Sequence, residues 1–115
     1  MRLIILASGS SGNAALIDDG GRVVLVDAGI CAREIARRAR AAGLDESQIE
    51  AILITHEHTD HIKGARVLAR KLNVPLMATA GTLQAAATLF ADVPNQIAIG
   101  RNDSFSLAGI TVRSF

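Results

Sequence analysis

Residues 51–64 of the chain, AILITHEHTDHIKG, contain all three of its histidines. The apolar run Ala51–Thr55 that opens this stretch is typical of a buried strand. From Asp60 or His61 to Leu72, apolar residues recur every three to four positions, which predicts a helix. The histidine-rich segment is therefore predicted to lie where the carboxyl end of a strand turns into a helix.

The spacing inside this segment favours a metal site. Residues two apart in an extended segment point the same way, so His56 and His58 are predicted to face one metal ion, and Asp60 and His61 a second position nearby. The alternative is an exposed polar loop in which Asp60 only caps the helix. A surface loop has no reason to collect every histidine of the chain at such positions. Glu57 is assigned no catalytic role, because its surroundings differ from the H-E-x-x-H pattern of zinc proteases.

The rest of the chain predicts strands and helices in alternation. The predicted strands are Arg2–Leu6, Asn13–Ile17, Arg22–Val26 and Leu76–Ala78, the predicted helices are Cys31–Ala42 and Thr82–Ala91, and Asp103–Leu107 with Ile110–Phe115 form a predicted hairpin. This order indicates an α/β or α+β fold in which helices cover a mixed β-sheet. The last strand pattern runs to the final residue without a turn after it, so we expect residues 1–115 to be part of a larger domain.

Composition excludes several classes of protein. Twelve basic and eleven acidic residues leave a net charge of +1, which gives no argument for a nucleic-acid-coating or membrane-surface protein. A single cysteine excludes an internal disulfide framework. The apolar run Leu3–Ala7 is shorter than the roughly 7–15 residues of a secretory signal or the roughly 20 of a membrane span. These features predict a cytoplasmic protein without membrane association.

Two further features leave alternatives open. The small-residue loop Ser8–Asn13 either lines the metal cleft or simply connects two strands, and it lacks the lysine of a phosphate-binding P-loop. Cys31 lies at a predicted helix start, where the helix dipole lowers a thiol pKa. Its position on the apolar helix face favours packing instead.

The motifs resemble those of a known family. Thr55–Gly64 matches the H-x-H-x-D-H motif of the metallo-β-lactamase superfamily, including the glycine three residues after the last histidine. Leu25–Gly29 resembles the earlier motif of that superfamily, an Asp at a strand end before a loop and a helix. With Ser8–Asn13 and Asp27–Ile30, the whole chain resembles the WalJ-type (YycJ-type) branch of cytoplasmic metallohydrolases.

The resemblance implies a fold and a ligand set. The fold of the superfamily is a four-layer αββα sandwich of two similar halves, of which this chain resembles the amino-terminal half. His56 and His58 are implied to bind the first metal, and Asp60 and His61 the second. The implied cofactors are two divalent ions, with Zn²⁺ favoured and Mn²⁺ or Fe open.

The remaining ligands that the resemblance implies are one histidine for each metal and a bridging carboxylate. The chain has no histidine after His61, and Asp92 and Asp103 come too early to serve as that carboxylate. We therefore expect an incomplete metal site, an inactive isolated chain, and oligomers or aggregates formed through an uncovered half-domain face. Asp27 is an ordinary strand-end residue by spacing alone, whereas the resemblance implies a hydrogen-bonding role around the metal ligands.

These expectations lead to one leading hypothesis about function and two rivals. The first is a hydrolase acting on phosphodiesters, with nucleic acid as the substrate, in which a hydroxide between the metals attacks and Asp60 holds and orients it as the catalytic residue. The second keeps the same site for a thioester, lactone or β-lactam. The third is a non-catalytic metal-binding or interaction fragment.

Overall fold

The computed structural model describes residues 1–56, 58–100 and 102–113, without the side chains of Thr59 and Asp60. Its strands are β1 (Arg2–Ala7), β2 (Ala14–Asp19), β3 (Arg22–Ala28), β4 (Ile49–Leu53), β5 (Leu76–Thr79), β6 (Gln96–Ile99), β7 (Ser104–Leu107) and β8 (Ile110–Arg113). Its helices are α1 (Ala32–Ala41), α2 (Thr59–Ile62), α3 (Ala65–Leu72) and α4 (Ala80–Ala85), and a 3₁₀ turn covers Glu46–Gln48.

Strands β1 to β6 form one mixed sheet in sequence order. The β1–β2 and β2–β3 pairs are antiparallel, whereas β3, β4, β5 and β6 run parallel to one another. Strands β7 and β8 form a separate antiparallel hairpin. The predicted mixed sheet covered by helices is confirmed. Because β3 and β4 are parallel neighbours, the segments that follow them leave the sheet at the same edge.

Both faces of β3 are covered, as its continuous apolar run predicts. Val23 and Leu25 join the core between the sheet and the helices, together with Ile35 of α1 and Leu68 of α3. Val24, on the opposite face, packs against apolar residues of the β7–β8 hairpin. The sheet is thus enclosed between a helical layer and the start of a second β-layer.

The predicted single helix ending at Leu72 is wrong, because two helices occupy this region. They are α2 and α3, and Gly64 is the N-cap of α3. The backbone N–H of Gly64 donates to the carbonyl oxygen of Ala28 at 2.6 Å. The chain therefore packs against the end of β3 at this point instead of continuing as one helix.

Two other boundaries differ from the prediction near the end of the sheet. The predicted helix Thr82–Ala91 is α4, which ends at Ala85 and begins earlier because the Thr79 hydroxyl caps it by accepting from the Thr82 N–H. Strand β6 was not predicted, since its residues are mostly exposed and show no alternation. It forms through backbone pairing with β5, which sequence periodicity does not report.

The start of the central strand and the position of the cysteine also differ. Strand β4 covers Ile49–Leu53 instead of Ala51–Thr55, because a 3₁₀ turn capped by the Asp45 side chain leads directly into Ile49. Cys31 is the N-cap of α1 and is exposed, so its predicted packing in the core is wrong. Within the described ranges, no helix is long and apolar enough to cross a membrane.

Candidate metal centre

The candidate site lies where β3 and β4 end side by side. Their last paired residues are Val26 and Leu53. One step beyond this pair, β3 supplies Asp27, and two steps beyond it, the segment after β4 supplies Thr55. The histidine-rich segment continues from Thr55 into α2, so the parallel pairing brings the two sequence motifs together.

Asp27 is the buried anchor of this site. Its residue is only 7% exposed, and its φ of 60° is unusual for a residue other than glycine. Oδ1 accepts the Thr55 backbone N–H at 2.8 Å, and Oδ2 lies 2.6 Å from Thr55 Oγ1 and 2.8 Å from His61 Nδ1. The carboxylate therefore joins the end of β3 to the chain after β4 and to the histidine on α2.

The three histidine rings lie near one another. The ring centroids of His56 and His61 are 4.8 Å apart and tilted by 45°, and those of His56 and His58 are 6.2 Å apart. Thr55 Oγ1 lies 3.0 Å from His56 Nδ1. The structure thus brings His56, His61 and Asp27 into one hydrogen-bonded group, with His58 beside it.

Two acidic residues of the segment belong wholly or partly to the undescribed part of the chain. The side chain of Asp60 and all of Glu57 lie outside the described residues. With Asp60 left out, the described side chains contain no group of three His, Cys, Asp or Glu residues that could hold a metal ion.

The residues present nevertheless fit a transition metal in their chemistry. Metal-binding imidazoles commonly direct one ring nitrogen to a protein hydrogen-bond partner and the other to the metal. Asp27 contacts Nδ1 of His61 and Thr55 contacts Nδ1 of His56. These contacts make Nε2 the nitrogen that each ring would offer to a metal. Imidazole donors suit Zn²⁺ and other first-row metals.

The two later carboxylates lie in other interactions. Asp92 forms ion pairs with Arg66 and Arg70 of α3, and the hydrogen bond from Arg66 holds the pKa of the Asp92 carboxyl below its ordinary value. Asp103 accepts the Gly100 N–H at 2.6 Å. Each of the two carboxylates thus has partners of its own in the described part of the chain.

The small-residue loop packs beside the site. The backbone N–H of Gly29, just after β3, donates to the carbonyl oxygen of Asn13 at 2.8 Å. A Cβ added at Gly12 would lie only 2.9 Å from the backbone carbonyl oxygen of Gly29, so the approach of the two segments favours glycine at this position. The loop Ser8–Asn13 therefore supports the β3–α1 connection that follows Asp27.

An apolar cleft borders the histidines. Its volume is about 450 Å³, and it opens between the sheet and the β7–β8 hairpin. Its lining is mostly apolar, with Val26 and Leu53 among the residues, and also includes Thr55, His56 and Arg113. His56 thus belongs both to the histidine group and to the wall of this cleft.

Sequence reasoning missed Thr55 as a member of the site. The available signal was a hydroxyl residue placed directly before the first histidine, at the end of a buried strand. The sequence alone did not show which residue this hydroxyl contacts, because only the β3–β4 pairing brings Asp27 within hydrogen-bonding distance of Thr55.

Comparison with known proteins gives consistent results. The model of the metallo-beta-lactamase superfamily matches residues 7–106. The chain is 36% identical over 113 residues to exodeoxyribonuclease YycJ of Bacillus anthracis, covering 96% of this chain and 43% of that protein. It is 46% identical over 81 residues to exodeoxyribonuclease WalJ of Streptococcus pneumoniae serotype 2, covering 70% of this chain and 30% of that protein.

A solved structure of a B3 metallo-β-lactamase with an active-site glutamic acid shares the fold. Its TM-score is 0.77 at 23% identity, and the match covers 95% of this chain and 47% of that chain. The present chain thus spans less than half the length of each of these three proteins.

Proposed function

The chain belongs to the metallo-β-lactamase superfamily, and we propose that the protein carrying it is a metal-dependent hydrolase of phosphodiester bonds in nucleic acid. The predicted resemblance to this superfamily and to its WalJ/YycJ-type branch is confirmed. The nuclease activity itself is inferred from the two relatives that are named exodeoxyribonucleases.

One structural observation supports the metal-dependent part of this proposal. Asp27 and Thr55 contact the Nδ1 atoms of His61 and His56, whose ring centroids are 4.8 Å apart. An ordinary surface loop gains nothing from holding two imidazoles in this way. A metal site requires it, because the nitrogen that binds the metal must keep its direction.

We assign roles to residues of this chain accordingly. His56 and His58 hold the first divalent ion, and Asp60 and His61 hold the second. Bound ions at these positions would supply Lewis acidity and activate water for attack. Asp60 orients the attacking water, and Asp27 holds the ring of His61 from behind. Zn²⁺ is the preferred ion, with Mn²⁺ or Fe as alternatives.

We propose that donors from outside residues 1–115 complete the site. Because no histidine follows His61 in this chain, any further histidine ligand must come from another part of the protein. We propose that the completed site also contains a bridging carboxylate, and that the 115-residue chain alone is inactive.

Metal analysis tests the ligand assignment. The purified protein that carries this chain should contain about two transition-metal ions per molecule, and His58→Ala or Asp60→Ala should lower that content. Asp19→Ala is the matched control, because it removes a partly exposed carboxylate at the end of β2, where its ion pair is with the amino terminus. Unchanged metal content in both site variants would contradict the assignment.

A substrate comparison tests the chemistry. The same preparation should degrade end-labelled DNA faster than it hydrolyses a thioester, a lactone or a β-lactam. Asp60→Ala should abolish the DNA activity while Asp19→Ala retains it. Turnover of a carboxylic substrate without any cleavage of DNA would refute the nuclease proposal.

A further inference from the structure

The hydroxyl of Thr55 lies at the centre of the candidate site. Its Oγ1 is 2.6 Å from Asp27 Oδ2, 3.0 Å from His56 Nδ1 and 3.4 Å from His61 Nδ1. Its backbone N–H is also held, by Asp27 Oδ1 at 2.8 Å. Contacts with both the backbone and the side chain of Thr55 therefore fix the position of the hydroxyl. The acceptor of its single proton can be identified from these contacts.

The directions of the hydrogen bonds follow from counting protons. A threonine hydroxyl has one proton to donate, and an ionised carboxylate only accepts. At 2.6 Å, the two oxygen atoms of Thr55 and Asp27 need a proton between them, and only Thr55 can supply it. The Thr55 oxygen is then an acceptor toward His56, so Nδ1 of His56 carries the hydrogen.

Counting protons also assigns the hydrogen on the second ring. His61 Nδ1 lies 2.8 Å from the Asp27 carboxylate, which cannot donate, so this nitrogen also carries hydrogen. In a neutral imidazole the other nitrogen then has the lone pair. Asp27 fixes this state directly for His61, whereas His56 depends on Thr55.

We propose that Thr55 is a positioning residue that holds His56 in the Nδ1–H tautomer, so that Nε2 faces the metal position. Asp27 contacts the His61 ring directly, whereas it acts on the His56 ring through the Thr55 hydroxyl, which donates to Asp27 and accepts from His56. The consequence for metal binding rests on the proposed function, but the tautomer of His56 does not.

Nitrogen NMR measures the tautomer without any metal. In the protein that carries this chain, labelled with ¹⁵N-histidine, the single variants His56→Gln, His58→Gln and His61→Gln assign the three imidazoles of residues 1–115. At mildly alkaline pH in the presence of a chelator, long-range ¹H–¹⁵N spectra should show His56 with hydrogen on Nδ1. Thr55→Val, which keeps the shape and removes the hydroxyl, should move the hydrogen of His56 to Nε2, the state that an unrestrained imidazole favours in water.

Three comparisons separate positioning from a general structural effect. Thr55→Ser restores a hydroxyl and should restore the Nδ1–H tautomer of His56. His61 should keep its tautomer in Thr55→Val, because Asp27 still contacts it. Thr111→Val, a change of the same type at an exposed position of β8, should leave every ring as in the wild type.

Metal affinity gives a second readout. If the proposed function holds, Thr55→Val should weaken Zn²⁺ binding by about 10–100-fold in a competition titration, and Thr55→Ser should recover most of it. A wild-type His56 with hydrogen on Nε2, or a Thr55→Val variant with an unchanged tautomer, would overturn the proposal. Failure of the wild-type protein to bind Zn²⁺ would count against the proposed function, and the tautomer measurement would still decide the role of Thr55.

Discussion

Gly64 lies where the chain behind the histidine segment touches the β3–α1 connection, and its replacement by alanine would disturb both. A Cβ at this position would come well under 3.0 Å from the carbonyl oxygen of Ile30. It would also lie 3.0 Å from the backbone nitrogen of Ala32 and 3.2 Å from the carbonyl carbon of Cys31. All three atoms belong to backbone, so no side chain can rotate away to relieve the contact.

The expected loss of stability can be worked out from this geometry. Gly64 has φ −95°, which alanine adopts without strain, so the backbone conformation itself adds no penalty. Alanine at a compatible position even stabilises by about 0.4–1 kcal/mol through the unfolded chain. Forced overpacking costs about 1–3 kcal/mol. The two effects together leave a loss of about 0–2.6 kcal/mol, and because the contacts are with backbone that cannot move aside, we expect Gly64→Ala to lie in the upper part, about 1–2.5 kcal/mol, which is roughly 4–10 °C in Tm for a chain of this size.

The helix α4 offers a matched control. A Cβ at Gly81 would meet no atom within 4 Å beyond its chain neighbours and the helix backbone itself, and the residue is the second of α4. Gly81→Ala should therefore stabilise by about 0.5–1 kcal/mol. The assay is urea unfolding of wild type and both variants, followed by circular dichroism. Opposite signs for the same chemical change would support the argument, whereas a Gly64→Ala variant as stable as the wild type would refute it.

Three other perturbations test the packing, the charges and the exposed face. Phe90→Ala should cost about 3–5 kcal/mol in urea unfolding, because this ring is fully buried, whereas Leu89→Ala beside it, 42% exposed, should cost much less. The hydrogen bond from Arg66 lowers the pKa of Asp92 in the folded protein. The stabilisation from this pair is therefore fully present above the unfolded-state pKa of about 3.9 and is lost as the pH falls through the folded-state pKa. On acidification, the urea midpoint of Asp92→Asn should consequently fall less than that of the wild type. Leu3 is 64% exposed on β1, and Leu3→Lys should shift the chain toward monomer in sedimentation velocity, a result that equal association of both proteins would contradict.

The central part of the fold was predictable because its signals are local. The continuous apolar run of β3 and the acidic and glycine turn before it indicate a buried strand and a hairpin, and both are present. The helical periodicity before Gly43 likewise predicts α1. Strand β6 and the interruption at Gly64 depend instead on neighbours distant in sequence, namely β5 and the end of β3. No pattern within either segment reports such neighbours.

The candidate site divides in the same way. The spacing of His56, His58 and His61 suggests a metal site, because alternating ligands are a property of the segment itself. The contacts of Thr55 with Asp27 join residues that are 28 positions apart, and they exist only because β3 and β4 pair in parallel. Sequence spacing could therefore propose the ligands but could not show what holds them.

The Asp27 carboxylate connects the fold to the site through one detail of the β4 ladder. After β4, two successive backbone N–H groups donate to the two neighbouring strands. The N–H of Ile54 donates to the carbonyl oxygen of Met77 on β5, and the N–H of Thr55 donates to the side chain of Asp27 on β3. A carboxylate thus takes the place of a backbone carbonyl at the point where the chain leaves the sheet. The positive φ of Asp27, a conformation that costs of order 1–3 kcal/mol, is the local cost of this arrangement. Because the same carboxylate also contacts His61, the position of the histidine ring is tied to the strand pairing itself. For the proposed metal site, these contacts put part of the geometry in place before any ion binds.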